Sequence, residues 1–385
     1  MATKPPNVAI VVRCIYDYRL PLYKELNDRA NATIAVFHSN RDLRDHSKMP
    51  TDDEIKSFAT YVKGYLLRLG QAKLIIQPSV IVRTVFGHYD AVICEYGKSI
   101  ISSQISLCLC RLTGKKFIWW AAGWEPILYP RLDFLFKAYT RFLWRLADGA
   151  IVFHGSAFQQ LTKARSSKGH VYLAQNTRDD RRILNNWGYM IKRGEVVRQS
   201  LGIQSSDKIV LYVGALIKRK RVDVLIKAFS QIARQDQHTY LVIVGDGSER
   251  QCLENVTKDL NLPRVIFVGS KTTDVYEYLA MCDVVVLPGL GGLAINDAMV
   301  CGKPVICSCA DGSEKDLIED GVTGYIIPEG LFTEKVLADR ILGIISDARV
   351  NAEMGGKARV RYLKTARFDD MVRNFEKAIT AIADH

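Results

Sequence analysis

Between Asp283 and Cys307 the chain reads DVVVLPGLGGLAINDAMVCGKPVIC. The stretch Pro288-Gly289-Leu290-Gly291-Gly292 has little side chain and much backbone N–H. At the start of a helix, such a loop can hold an anion such as a diphosphate. Upstream, the row Lys218, Arg219, Lys220, Arg221 follows an apolar run that ends at Gly214. Cations at a helix start oppose its dipole unless an anion sits among them. Two further apolar runs end alike, one at Gly245-Asp246-Gly247 and one at Gly269-Ser270-Lys271. Each glycine turn alone is explained by tight turn geometry, and the basic row by a solvated helix start. Four such turns in order, one carrying the cations, can hold a nucleotide diphosphate.

The elements that must position these groups are readable from apolar periodicity. Strand-length apolar runs fall at 208–213, 240–244, 264–268, 284–287, 304–307 and 324–327, with helical spacing between several of them. The first half repeats the rhythm, with strands expected at 7–12, 33–37, 91–94, 116–120, 150–153 and 171–174. Alternating strand and helix predicts doubly wound parallel sheets. Ligands in such sheets sit at the C-terminal strand ends. Arg13, Tyr18 and Arg19 after the first strand are therefore site candidates, with solvated loop charges as the plainer reading. Glu95 ends a second strand, and Trp124 and Glu125 follow a third. Residues 38–57 show no firm pattern, and 73–83 are apolar and moderately periodic.

The chain has 385 residues, 48% of them apolar, which suits two domains. We expect an N-terminal domain over 1–185, a connection over 186–207, a C-terminal domain over 208–365, and a last helix over 366–385 that crosses back. The formal charge of +12 suits an acidic partner. No zinc-finger spacing or aromatic RNA-binding signature is present, so nucleic acid is not expected. The nine cysteines are odd in number and sit mostly in apolar runs, as reduced core residues do. No signal peptide or membrane-spanning run is recognisable. Residues 131–147 read as a core helix with Asp133, Lys137, Arg141 and Arg145 on one charged stripe. The second reading for that helix is an anionic membrane surface.

The ordered segments VLYVGALIKRKRVDVLIKAF, LVIVGDGSE, VIFVGS, CDVVVLPGLGGLAINDAMVCGKPVI and EKDLIEDGVTGYIIP resemble family-4 retaining glycosyltransferases of the GT-B fold. The resemblance is strong over 205–330 and weaker in YRLPLYKEL, WWAAGW and VYLAQNT. It implies two Rossmann-like domains facing a cleft, the nucleotide-sugar donor on the C-terminal one and the acceptor on the N-terminal one, with no metal and no cofactor. By that resemblance Lys220 stabilises the leaving diphosphate, and Arg219, or Lys218, is the candidate to supply the charge missing at Ala215. The implied donor-binding set is Gly214, Lys218, Gly245, Ser270, Lys271, Gly291, Gly292, Leu293, Asn296 and Asp297. Asp297 falls on the family's second glutamate and keeps a carboxylate for the ribose hydroxyls. Arg13, Tyr18, Arg19, Glu95, Trp124 and Glu125 are the acceptor or sugar side. Three positions depart from the pattern. Gly289 stands for the first glutamate, Ala215 for the diphosphate arginine, and Ala122 for a histidine.

The function implied is transfer of a sugar from a nucleotide sugar, UDP-linked first and GDP-linked as the other option, to a glycan or lipid-linked acceptor. The cysteines suit a cytoplasmic location, and the +12 charge with helix 131–147 suggests peripheral attachment to the cytoplasmic face of a membrane. Two readings compete. One is a catalytically inactive GT-B scaffold that binds a nucleotide sugar or a partner, suggested by the three departures. The other is a GT-B nucleotide-sugar epimerase.

Overall fold

A computed structural model describes residues 5–29, 32–39, 51–69, 72–121, 133–164, 170–310 and 312–383. Two compact units divide them, residues 1–176 with 369–385, and residues 177–368.

The first unit is built on strands β1 Asn7–Val11, β2 Thr33–His38, β3 Ala59–Tyr61, β4 Tyr65–Leu69, β5 Ala72–Ile76, β6 Ala91–Glu95, β7 Lys116–Ala121, β8 Gly149–Val152 and β9 His170–Leu173. Seven of these form one parallel sheet in the order β3-β2-β1-β6-β7-β8-β9. The apolar runs of β1, β6, β7 and β8 are buried on both faces, as a sheet covered by helices requires. The hairpin β4–β5 was not expected from the sequence. Residues 73–83, read there only as apolar, split between β5 and the helix Pro78–Phe86. Proline at the first helical position makes that switch. The last helix, Phe368–Ala383, packs Phe375 edge-on against Trp120 at 5.0 Å.

The second unit holds β10 Lys208–Val213, β11 Thr239–Val244, β12 Val265–Gly269, β13 Val284–Leu287, β14 Val305–Ser308 and β15 Gly324–Ile327. All pair in parallel, in the order β12-β11-β10-β13-β14-β15. The core joins these strands to the inner faces of helices Val222–Gln235, Ala294–Val300 and Glu334–Ile345.

Residues 186–207 are no open connection, which corrects the sequence reading. Helix Arg181–Ser200 occupies most of them and belongs to the second unit. Its apolar face is sparse, with only Ile183 and Met190 fully buried, and much of its anchor is polar, which hid it from apolar periodicity. Buried Arg198 donates to the carbonyls of Gln204, Asp207 and Met281. Gly194 lies so close to helix Val275–Met281 that a Cβ there would be 2.8 Å from the Glu277 carbonyl oxygen. Where the chain passes into and out of this unit, Asp180 accepts from Arg367 Nε at 2.7 Å and from the Tyr362 hydroxyl at 3.2 Å.

Helix Asp133–Leu146 buries Leu143 and Trp144 but leaves Phe134 81% and Phe142 56% exposed. The expected core helix with one charged stripe is thus only half right, because the aromatic residues do not all face inward.

Candidate functional site

In the second unit β10 pairs with both β11 and β13, and the sheet order reverses between β10 and β13. Ligands bind at such a reversal, beyond the C-terminal strand ends. The four glycine turns follow β12, β11, β10 and β13, which are adjacent strands, so the sheet gathers them along one edge.

The first three turns are laced together. The Gly214 amide donates to Val244 O at 3.0 Å, Gly245 to Gly269 O at 2.9 Å, and Leu216 to Asp246 O at 2.9 Å. The approach is so close that a Cβ at Gly245 would sit 1.8 Å from the Gly214 carbonyl oxygen. The N–H groups of Gly214 and Gly245 are consequently committed, and these two glycines serve backbone packing rather than an anion. Ser270 is exposed, and half-buried Lys271 pairs with Asp274 at 3.7 Å.

The fourth turn differs. The amides of Gly291, Gly292 and Leu293 make no hydrogen bond with any described residue. Gly292 has a φ of 63°, the left-handed conformation that glycine adopts without strain. The helix that follows, Ala294–Val300, has only seven residues. Its dipole is short, so the open amides and nearby cations are the main anion-directed groups. Those cations come from the single 3-10 turn Lys218–Lys220 and from Arg221, whose own φ is 53°. Lys218 and Arg219 are exposed. Lys220 Nζ donates to the Leu290 carbonyl, which ties the basic turn to the glycine loop. Gly289 is the point of closest approach. A Cβ there would lie 2.3 Å from Arg219 O and 2.8 Å from Lys220 Cα. The Gly289 carbonyl in turn accepts from buried Ser308 at 3.2 Å.

Asp297 and Asn296 are buried on the short helix. The Asp297 carboxylate accepts from Tyr276 at 3.0 Å and lies 3.4 Å from Arg178 Nε. Burial raises its pKa, with Arg178 and Tyr276 pulling the other way. Tyr276 and Arg178 went unnoticed in the sequence, because they lie 21 and 119 positions away with no motif of their own (297 − 276 and 297 − 178). Glu314 was missed likewise. It is buried and accepts from the amides of Ala310 and Gly312, each at 3.0 Å, which shapes the loop after β14.

In the first unit, Arg13 donates to Glu95 through its amide at 2.9 Å and through Nη2 at 2.5 Å. Burial works against the Glu95 carboxylate, but Arg13, with Arg19 adding, holds its pKa below the ordinary range. Arg19 is buried, not a solvated loop charge. Tyr18 is half-buried and stacks on Tyr16 at 5.6 Å. Ala122, Trp124 and Glu125 lie outside the described residues.

Two parallel-sheet α/β units of this kind define the GT-B fold, and solved structures of that fold superpose on nearly the whole chain. Anabaena Alr3699/HepE in complex with UDP and glucose gives a TM-score of 0.69 at 18% identity, over 98% of this chain and 100% of that one. A glycosyltransferase from Rickettsia africae gives 0.74 at 15% identity, over 98% of each chain. Within that fold, residues 195–361 match the family model described as Glycosyl transferases group 1. Among curated relatives, the N-acetyl-alpha-D-glucosaminyl L-malate synthase of Bacillus anthracis is 32% identical over 184 residues, 47% of each chain. The poly(ribitol-phosphate) alpha-N-acetylglucosaminyltransferase of Staphylococcus aureus is 29% identical over 40% of this chain and 31% of its own. The matches thus span about half of those relatives' lengths or less. The family match lies wholly within the second unit, residues 177–368.

Proposed function

We propose that this chain is a retaining glycosyltransferase that takes a sugar from a nucleotide donor, UDP-linked first and GDP-linked second, to a glycan or lipid-linked acceptor. The observation that carries the reading is the fourth glycine turn. Three open amides stand at the switch point of the second sheet, beside Lys218, Arg219 and Lys220. As the donor bond breaks, negative charge grows on the departing diphosphate. Preorganised N–H donors and a cation stabilise that charge. In this reading Lys220 exchanges the Leu290 carbonyl for a phosphate oxygen when the donor arrives. The UDP in the HepE complex and the transferase names of the relatives support a nucleotide-sugar donor.

The test is thermal unfolding of the full chain with UDP, GDP, ADP, dTDP and CMP in turn. A nucleotide at about 100 times its Kd adds about 2.7 kcal/mol to the state that binds it. That raises the midpoint of a unit this size by roughly 2–4 °C per kcal/mol. A shift with UDP alone selects UDP-sugars for transfer assays. No shift with any nucleotide moves the inactive-scaffold reading, motivated by Gly289 and Ala215, to first place.

We also propose peripheral attachment to an anionic membrane face from the cytoplasmic side. Helices Pro78–Phe86, Ile101–Leu112 and Asp133–Leu146 pack side by side and expose Phe86, Leu112, Phe134 and Phe142, with Arg111, Arg141 and Arg145 also at the surface. No helix among the described residues is long and apolar enough to cross a membrane. Co-sedimentation with phosphatidylglycerol vesicles, but not phosphatidylcholine ones, is expected, and Phe134→Ser with Phe142→Ser reduces it several-fold. Equal pelleting with both lipids rules the attachment out.

A further inference from the structure

The first sheet also reverses, between β1 and β6, and a second buried cation, which shares the field of Glu95 with Arg13, stands beyond that reversal. Arg13 follows β1, Glu95 ends β6, Trp120 lies near the end of β7, and Phe153 follows β8. These four strands are adjacent. The Arg19 guanidinium lies within their reach, 4.4 Å from the Trp120 ring centroid, 5.1 Å from Phe153 and 5.6 Å from Tyr18. Arg19 is only 6% exposed, and its buried Nε has no hydrogen-bond partner among the described residues.

Ring faces attract a guanidinium from above its plane but leave its in-plane N–H donors unused. A buried guanidinium without a carboxylate is expensive for a fold to keep. The carboxylate nearby is already committed, because Glu95 receives both the amide and Nη2 of Arg13. Among these described residues, the Arg13–Glu95 pair is neutral, so Arg19 adds one net positive charge to the group. The hydroxyl of Tyr23, on the helix Leu20–Arg29, also faces Arg19, and it is neutral because burial raises its pKa. Beside these groups the half-buried rings of Tyr16 and Tyr18 lie nearly parallel, at 11°. A flat aromatic face next to a fork of N–H donors suits a sugar ring that bears an acidic group.

We propose that this corner of the first unit binds an anionic carbohydrate, with its carboxylate or phosphate on Arg19 and its ring along the side of the Tyr16–Tyr18 stack, so that the acceptor of the reaction is charged. The word acceptor rests on the transfer reading above, whereas the binding itself does not.

Calorimetric titration of the full chain with glucuronate, glucose 6-phosphate, glucose and inorganic phosphate tests it. At least one of the two anionic sugars is expected to bind about tenfold or more tightly than both glucose and inorganic phosphate. Which of the two wins distinguishes carboxylate from phosphate. In Arg19→Met the preference over glucose falls to near one, while Arg19→Lys, which keeps charge but loses the planar fork, falls between. Tyr18→Ala weakens all three sugars alike and keeps the charged-to-neutral ratio. Near-ultraviolet circular dichroism of the aromatic-rich first unit, together with the thermal unfolding profile, reports whether each variant is folded, since the UDP response belongs to the second unit. The proposal fails if neither anionic sugar binds, if glucose binds as well as they do, if inorganic phosphate alone equals them, or if the preference survives Arg19→Met. Loss of the UDP response in the unaltered chain would instead remove the transfer reading and leave the Arg19 result standing.

Discussion

Gly289→Glu is expected to lower the thermal midpoint of the second unit and to abolish its response to UDP, not to improve transfer. The naive expectation is the opposite, because the family resemblance implies a glutamate at this position, whose return is expected to restore a contact. The geometry forbids it. A Cβ at 289 meets Arg219 O at 2.3 Å and Lys220 Cα at 2.8 Å, so any side chain must push the basic turn away from the glycine loop. Overpacking of this kind costs about 1–3 kcal/mol and sometimes more. Here the neighbours are backbone atoms, which yield less than a flexible side chain. Displacing Lys218–Lys220 also separates Lys220 from the Leu290 carbonyl and the cations from the open amides of 291–293. Gly289→Ala should show the same sign with a smaller drop. Differential scanning calorimetry with and without UDP is the measurement. A stable Gly289→Glu with faster transfer would mean that the loop opens easily and that the glycine is merely an absent contact.

The glycine at 289 and the position of the basic cluster are therefore one structural fact, and the sequence shows them as two. Apolar runs of strand length are local signals, so the strands around both switch points were legible. The reason each glycine is there was not. Gly245 and Gly289 face backbone 31 and 70 positions away (245 − 214 and 289 − 219), which no local pattern reports. Arg19 shows the same limit from the other side. A charged residue after a strand reads as solvent-facing by composition, and only the convergence of Trp120 and Phe153 from two other strands buries it. The helix that carries Arg198 escaped apolar periodicity, since Ile183 and Met190 are its only fully buried apolar residues and Arg198 adds bonds to carbonyls. Sites assembled from distant backbone or from buried cations are thus the part of this protein least visible in its sequence.

Lys220→Ala is expected to lower the transfer rate by about 10²–10³-fold, the scale seen when one preorganised donor to a developing anion is removed. The same substitution deletes the bond from Nζ to the Leu290 carbonyl, which is worth about 1 kcal/mol of stability. The two effects separate two roles for the lysine. If Nζ moves to the leaving diphosphate, kcat falls far more than the stability change explains, and UDP affinity falls with it. If Nζ only clasps the two loops, kcat is nearly unchanged and the loss appears in the thermal midpoint and in KM. Arg219→Ala supplies the comparison. Arg219 is exposed and holds no loop, so any effect it has on rate reports charge at the diphosphate alone. A rate loss in Lys220→Ala much larger than in Arg219→Ala, with a midpoint change of only a few degrees, places the catalytic cation at 220. Equal small losses in both would mean that the open amides of Gly291, Gly292 and Leu293 stabilise the leaving group without a dedicated lysine.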